Sequence, residues 1–138
     1  MLKAVPIGFE DFKEIIDANR YYVDKTDMIQ ELIDRGGKVN LFTRPRRFGK
    51  TLNLSMIRRF FEEEMGDHGE IVRNGYLFEN LKISFQGKLY MDHQGKYPVI
   101  NLSLKSAKQP TFELAYGSLA DEIAKEYKRH AYILSSQR

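Results

Sequence analysis

The sequence predicts an α/β fold, a mainly parallel sheet flanked by helices. Two observations carry that prediction. Apolar residues recur at helical spacing in four stretches, and short strand-like runs lie between them. One such run, Val39-Asn40-Leu41-Phe42, leads directly into Thr43-Arg44-Pro45-Arg46-Arg47-Phe48-Gly49-Lys50-Thr51, a turn ending in Gly-Lys-Thr that opens a helix.

The first helix is expected over Phe9–Asn19, with Phe9, Phe12, Ile15 and Ile16 on one face. A short β-type stretch, Tyr21-Tyr22-Val23, follows. Asp24 reads as the N-cap of a second helix carrying Met28, Ile29, Leu32 and Ile33, which Gly36-Gly37 ends. Lys38–Thr43 is a strand, and Arg44, preceding Pro45, is biased toward extended backbone. The third helix runs from Lys50 or Thr51 to Met65, with Leu54, Ile57, Phe61 and Met65 in a stripe that Met56 and Phe60 widen. Residues 66–88 carry polar turns and no clear period. Tyr97–Ser103 reads as a strand with Pro98 near its start, since proline cannot donate to a ladder. Thr111 can cap a last helix with Phe112, Tyr116, Leu119, Ile123 and Tyr127 along one face. Two strands are few for four helices, so the sheet is expected to be incomplete.

A chain of 138 residues fits one domain, and 42% hydrophobic with 30% charged residues is an ordinary globular composition. The absence of cysteine excludes a disulfide scaffold and thiolate chemistry, and fits a reducing cytoplasm. No run approaches the length of a membrane span, and Met1–Pro6 has no long apolar leader segment. Net charge is only +3, yet Arg44, Arg46, Arg47, Lys50, Arg58 and Arg59 fall within one acid-free stretch. Such a patch suits a polyanion.

Gly49-Lys50-Thr51 between strand and helix is the arrangement that holds a nucleoside triphosphate. Backbone N–H groups at the helix start face the phosphates, the Lys50 ammonium meets their charge, and the Thr51 hydroxyl is placed to ligate Mg²⁺. Gly-Lys-[Ser/Thr] alone arises by chance in roughly one chain of this length in fifteen, so the strand–helix context carries the signal. The strict pattern has glycine where this chain has Arg44. Arg46 and Arg47 either fork onto phosphates or form structural salt bridges. The three histidines share no metal-ligand spacing and read as surface residues.

Taken together, Ile7-Gly8-Phe9-Glu10-Asp11-Phe12, Tyr21-Tyr22-Val23-Asp24-Lys25-Thr26, the Arg44–Ser55 string and Tyr97-Pro98-Val99-Ile100 resemble the bacterial AAA-ATPase-like family, as does the helix near Glu126–His130. In that family the arginine-for-glycine replacement is the usual form of the loop. The resemblance implies a P-loop NTPase-like sheet, ATP with Mg²⁺ as ligands, and a domain longer than this chain. Residues 1–138 are thus expected to be the N-terminal portion of an AAA-ATPase-like domain. Family members carry a second acidic motif and sensor residues further on, and often a separate PD-(D/E)XK nuclease-like domain. The resemblance places Gly49, Lys50, Thr51, Arg46, Arg47, Phe48 and Arg44 at the nucleotide. It also puts Tyr22 and Asp24 near the adenine, Tyr22 as a stacking face, with Asp24 equally suited to its capping role.

Hydrolysis requires an acid at the end of an apolar strand to hold the Mg²⁺ shell and orient water. The downstream strand ends Asn101-Leu102-Ser103, and Asp121-Glu122 sits within the last helix, on its solvated face. The expectation is a cytoplasmic module that binds ATP, with turnover depending on residues elsewhere. The alternative is a nucleic-acid-binding module that tracks phosphates with Arg44–Arg59. That reading has no aromatic platform and no helix-turn-helix to support it.

Overall fold

The computed structural model describes residues 2–38, 40 and 50–135. Helix α1 spans Phe12–Asp17. It starts later than the apolar spacing from Phe9 implies. Asp11 has extended backbone, and its carboxylate accepts the Lys13 N–H at 3.1 Å, which fixes the helix start. Helix α2 spans Asp27–Arg35, three residues beyond the expected Asp24 cap. Asp24 instead makes a turn, accepting the Thr26 N–H at 2.9 Å and the Thr26 hydroxyl at 2.6 Å. The helix ends as expected at Gly36, whose φ of +59° lets its N–H return to the Leu32 carbonyl. Most of the expected strand Lys38–Thr43 lies outside the described residues.

Helix α3, Lys50–Phe61, stops short of Met65. Its ladder is broken when the Glu63 N–H is taken by the Tyr97 carbonyl at 2.7 Å. The chain then forms a hairpin of β1 (Glu64–Met65) and β2 (Ile71–Val72), antiparallel with Glu64 opposite Val72. Among the described residues this is the one sheet, joined by an isolated parallel bridge between Glu62 and Tyr97. The mixture of helix and strand is therefore present. Of the expected strand Tyr97–Ser103, only Tyr97 makes a ladder contact.

The core sits between α1, α2, α3 and two 3-10 turns, Gly75–Phe78 and Lys82–Phe85. Phe78 stacks on Phe12 at 5.1 Å between ring centroids and meets the Phe60 edge at 5.1 Å, while Tyr22 meets Phe12 edge-on at 5.0 Å. Each such pair adds about 0.5–1.5 kcal/mol beyond the apolar area it buries. Met56, Leu77, Ile83 and Ile29 fill the space around the rings. After the short helix α4 (Lys88–Met91), helix α5 spans Phe112–Arg129, and the Thr111 hydroxyl caps it as expected by accepting the Leu114 N–H at 3.3 Å. A last turn of helix, α6, spans Tyr132–Ser135. No helix among the described residues is long and apolar enough to cross a membrane.

Candidate nucleotide-binding site

Lys50 and Thr51 are the first two residues of α3, and both are exposed. The first turn of this helix holds no acid that would offset the partial positive charge of a helix N-terminus. Further along, Asn53, Met56 and Phe60 are buried and lock the helix into the core. Gly49, Phe48, Arg47, Arg46 and Arg44 lie outside the described residues.

The helix is also tied to the N-terminal segment. Ser55, one turn beyond Thr51, accepts the Phe12 N–H at 2.8 Å and donates to the Leu52 carbonyl at 2.7 Å. Arg59 bonds both oxygens of Asp11, at 3.3 and 2.7 Å, and reaches Glu64 at 2.9 Å. Partial burial works against ionisation of Asp11, but the bonds from Arg59 and the Lys13 N–H outweigh it and hold the carboxyl below its ordinary range. Glu64 shows the same balance, with burial overcome first by Asn74 and then by Arg59. Arg58 pairs with the buried Glu62 at 2.9 Å. Two of the six cations between Arg44 and Arg59, namely Arg58 and Arg59, are thus held in internal ion pairs. Beside α3 lies a polar cleft of about 380 Å³ lined by Gly8, Glu10, Asp11, Glu14, Ser55 and Arg58.

Tyr22 and Asp24 form a second group at the entrance to α2. Burial pushes the Tyr22 phenol up to about 12, and its ring lies against Phe12. Asp24 accepts the Lys82 N–H at 2.7 Å besides its two bonds from Thr26. These bonds overcome partial burial and hold its carboxyl below the usual range. Thr26, fully buried, accepts the Ile83 N–H at 3.1 Å. Asp24 and Thr26 together therefore clamp the Lys82–Phe85 turn to α2. No hydrogen bond or ion pair among the described residues joins Tyr22 or Asp24 to Lys50 or Thr51. The connection runs instead through Phe12, which touches the Tyr22 ring and bonds Ser55.

Sequence reasoning missed the residue that organises the far end of the chain, Glu62. Its buried carboxylate receives Arg58 and Arg129, and Arg129 also bonds Glu126 and the Val99 carbonyl, each at 2.8 Å. The i,i+4 spacing of Arg58 and Glu62 was the available signal; nothing local points to Arg129. His130 is not a surface residue: its ring is nearly buried, with Nε2 on the Val99 carbonyl at 2.6 Å. Asp121 and Glu122 lie on α5 as expected, with Glu122 3.9 Å from Lys125. No group of three or more His, Cys, Asp or Glu among the described residues could hold a metal.

Comparison with known proteins bears on this arrangement. No solved structure matches the chain. An uncharacterised protein in the vnfD 5′ region of Azotobacter chroococcum mcd 1 is 33% identical over 102 residues, which make up 73% of this chain and 17% of that protein. The model of a family described as predicted AAA-ATPases matches residues 6–137, from before the Asp11 cap to beyond α5. With that match spanning nearly its whole length, the chain belongs to the AAA-ATPase-like family.

Proposed function

We propose that this chain is the ATP-binding portion of a P-loop ATPase, with Gly49, Lys50 and Thr51 as its phosphate end. The observation that carries this reading is the position of Lys50 and Thr51. They open a helix that is free of acids at its start and anchored along its body, directly after Arg44-Pro45-Arg46-Arg47-Phe48-Gly49. Family membership supports the same ligand.

In this reading the α3 N–H groups and the Lys50 ammonium bind the β- and γ-phosphates, and Arg46 and Arg47 add charge. Thr51 Oγ1 would hold Mg²⁺, which would supply positive charge against the phosphates. Strand Lys38–Thr43 would belong to a parallel sheet of P-loop type, and the setting would be cytoplasmic. Arg58 and Arg59 take no part, because Glu62, Asp11 and Glu64 hold them. The same pairs weaken the nucleic-acid reading, which needs these two arginines free. An acid that orients water would come from outside the chain.

Isothermal calorimetry with ATP and Mg²⁺ tests the proposal. Lys50→Ala should weaken binding by about tenfold or more, because it removes charge-assisted bonds of about 1.5–3 kcal/mol. Arg46→Ala with Arg47→Ala should cost more affinity than Arg58→Ala with Arg59→Ala. Equal affinities for the folded parent and Lys50→Ala would refute the site. A phosphate-release assay on the chain alone should show no Lys50-dependent turnover.

A further inference from the structure

The stretch Phe85-Gln86-Gly87-Lys88-Leu89 is exposed from end to end, although the residues flanking it are held in place. On one side Ile83 is buried in the core, with its N–H on Thr26, and the Lys82 N–H bonds Asp24 at 2.7 Å. On the other, the Tyr90 hydroxyl donates to Asp34 of α2 at 2.7 Å, and Met91 packs against the core. Gly87 has a φ of +113°, a conformation that residues with a Cβ rarely adopt, and nothing lies within 4 Å of where a Cβ would stand. Helix α4 lies against the Lys82–Phe85 turn. The turn is therefore set by the backbone and fastened at its base. Yet it carries Phe85 at 75% and Leu89 at 73% exposed, and neither joins the apolar core.

The charge beside this pair has one sign. From Asn80 to Met91 the chain has Lys82 and Lys88, both exposed, and no acid. The carboxylates of Asp24 and Asp34 are bonded at the base of the turn, by the Lys82 N–H and the Tyr90 hydroxyl. Single exposed apolar residues are ordinary. Here an aromatic and an aliphatic side chain stand four positions apart, beside two ammonium groups, on a turn whose backbone is fixed. One ring and one aliphatic chain do not make a stacking platform for successive bases, and the stretch has no arginine to fork onto phosphodiesters. An anionic lipid surface offers both things such a turn can use: headgroup charge for the lysines and acyl chains for Phe85 and Leu89.

We propose that the Phe85–Leu89 turn docks on an anionic membrane surface, with Phe85 and Leu89 entering the headgroup layer and Lys82 and Lys88 meeting the lipid charge. A surface contact of this kind requires no spanning helix. With two apolar side chains and two lysines it is reversible, and it falls with salt. The proposal is independent of the nucleotide reading, and its test contains no ATP.

The chain has no tryptophan, so Phe85→Trp places a lone indole reporter in the 138-residue chain. The probes are vesicles of phosphatidylcholine alone and with about 30% phosphatidylserine. On the anionic vesicles the indole emission should shift to the blue, and brominated acyl chains should quench it. Binding should be about tenfold or more stronger than to neutral vesicles, and should weaken as salt is raised. Lys82→Glu with Lys88→Glu should abolish it, and Leu89→Ser should weaken it about tenfold. Leu89→Trp is the second reporter should the first variant unfold. Arg46→Ala with Arg47→Ala should leave the shift in place. A shift lost in that pair and kept in the Lys82/Lys88 variant overturns the proposal, because the basic loop would then hold the lipid. Absence of a shift on anionic vesicles in both reporters overturns it as well. Quenching by a single-stranded oligonucleotide without response to vesicles would reassign the turn to nucleic acid. A shift that grows with chain concentration in the absence of lipid would reassign it to a second copy.

Discussion

Around Phe78 the rings of Phe12 and Phe60 meet with all three side chains fully buried, whereas α5 has no buried residue and leaves Phe112 79% and Tyr127 65% exposed. Both regions are amphipathic in sequence. What separates them is the number of elements that arrive. Helices α1, α2 and α3 and the two 3-10 turns converge on Phe78 from several directions. Helix α5 lies against one 3-10 turn, Lys105–Ala107, and its C-terminal end is fastened through Glu126, Arg129 and His130, all of them polar. One side of the molecule is cemented by apolar packing, and on the other polar groups fasten the end of α5. An apolar stripe states that a face is to be covered without saying what covers it.

The sharpest way to break this comparison is to truncate one ring on each side. Phe78→Ala should destabilise the chain by about 3–5 kcal/mol, since it removes a fully packed ring and leaves a cavity. Phe112→Ala should stay within about 0.5 kcal/mol, as exposed substitutions do. Urea denaturation of both variants measures the difference. Comparable losses would mean that α5 is packed and the contrast is false.

The next test addresses the polar attachment. Arg129→Ala strips Glu62 of one of its two cations while Arg58 remains. The cost should therefore fall below the about 3–5 kcal/mol typical of an orphaned buried charge. The loss should concentrate in α5, seen as faster amide exchange there with the Phe78 core still protected. Adding Glu62→Gln should recover part of it, because the stranded charge is then gone.

Acid should separate the regions more gently. Asp11 and Glu64 on the packed side and Glu126 at the fastened end of α5 are all held below their ordinary range. For Asp11 and Glu64 bonds overcome burial, and for Glu126 the leading cause is its bond from Arg129. Groups depressed in this way contribute stability above their unfolded values, near pH 4, and lose it as pH falls toward the folded values. Stability should therefore decline from about pH 5 downward, and Asp11→Asn should flatten that decline for global unfolding. Glu126→Gln should flatten only the loosening of α5, followed by the NMR signals of Ile123.

How much of this could be read from the sequence divides by distance along the chain. Gly36 ending α2 and Thr111 capping α5 are local devices, and both stand where expected. Among the described residues α3 runs from Lys50, as the Gly-Lys-Thr pattern predicts, while the loop before it lies outside them. Phe78 was invisible because it sits on a 3-10 turn, where no period of 3.6 or 2 marks the inward side. Nothing local marks Glu62 as buried within Glu62-Glu63-Glu64, because Arg129 stands 67 residues away. Tyr97–Ser103 reads as a strand, yet only Tyr97 makes a ladder contact; Val99 and Asn101 bond side chains of α5, which no strand signal announces.

The smallest expected effect concerns Tyr22, where the packed side should respond to alkali. Burial raises its phenol to about 12; the bond from the Lys25 N–H pulls the other way, and the nearby Asp24 and Asp27 carboxylates add to the rise. In the unfolded chain the same phenol ionises near pH 10, so the folded state holds the proton more tightly. The sign follows: the contribution is whole below about pH 10 and is lost as pH climbs through about 12. Tyr22→Phe keeps the ring against Phe12 and removes the titrating hydroxyl, at the cost of one long bond, 3.4 Å, to Lys25. Urea denaturation of parent and variant at about pH 9 and about pH 11 should show the variant losing less stability across that interval. Coincident slopes would mean that the Tyr22 phenol faces water, free of Phe12, and the ring would then be available as the stacking face that the family resemblance suggested.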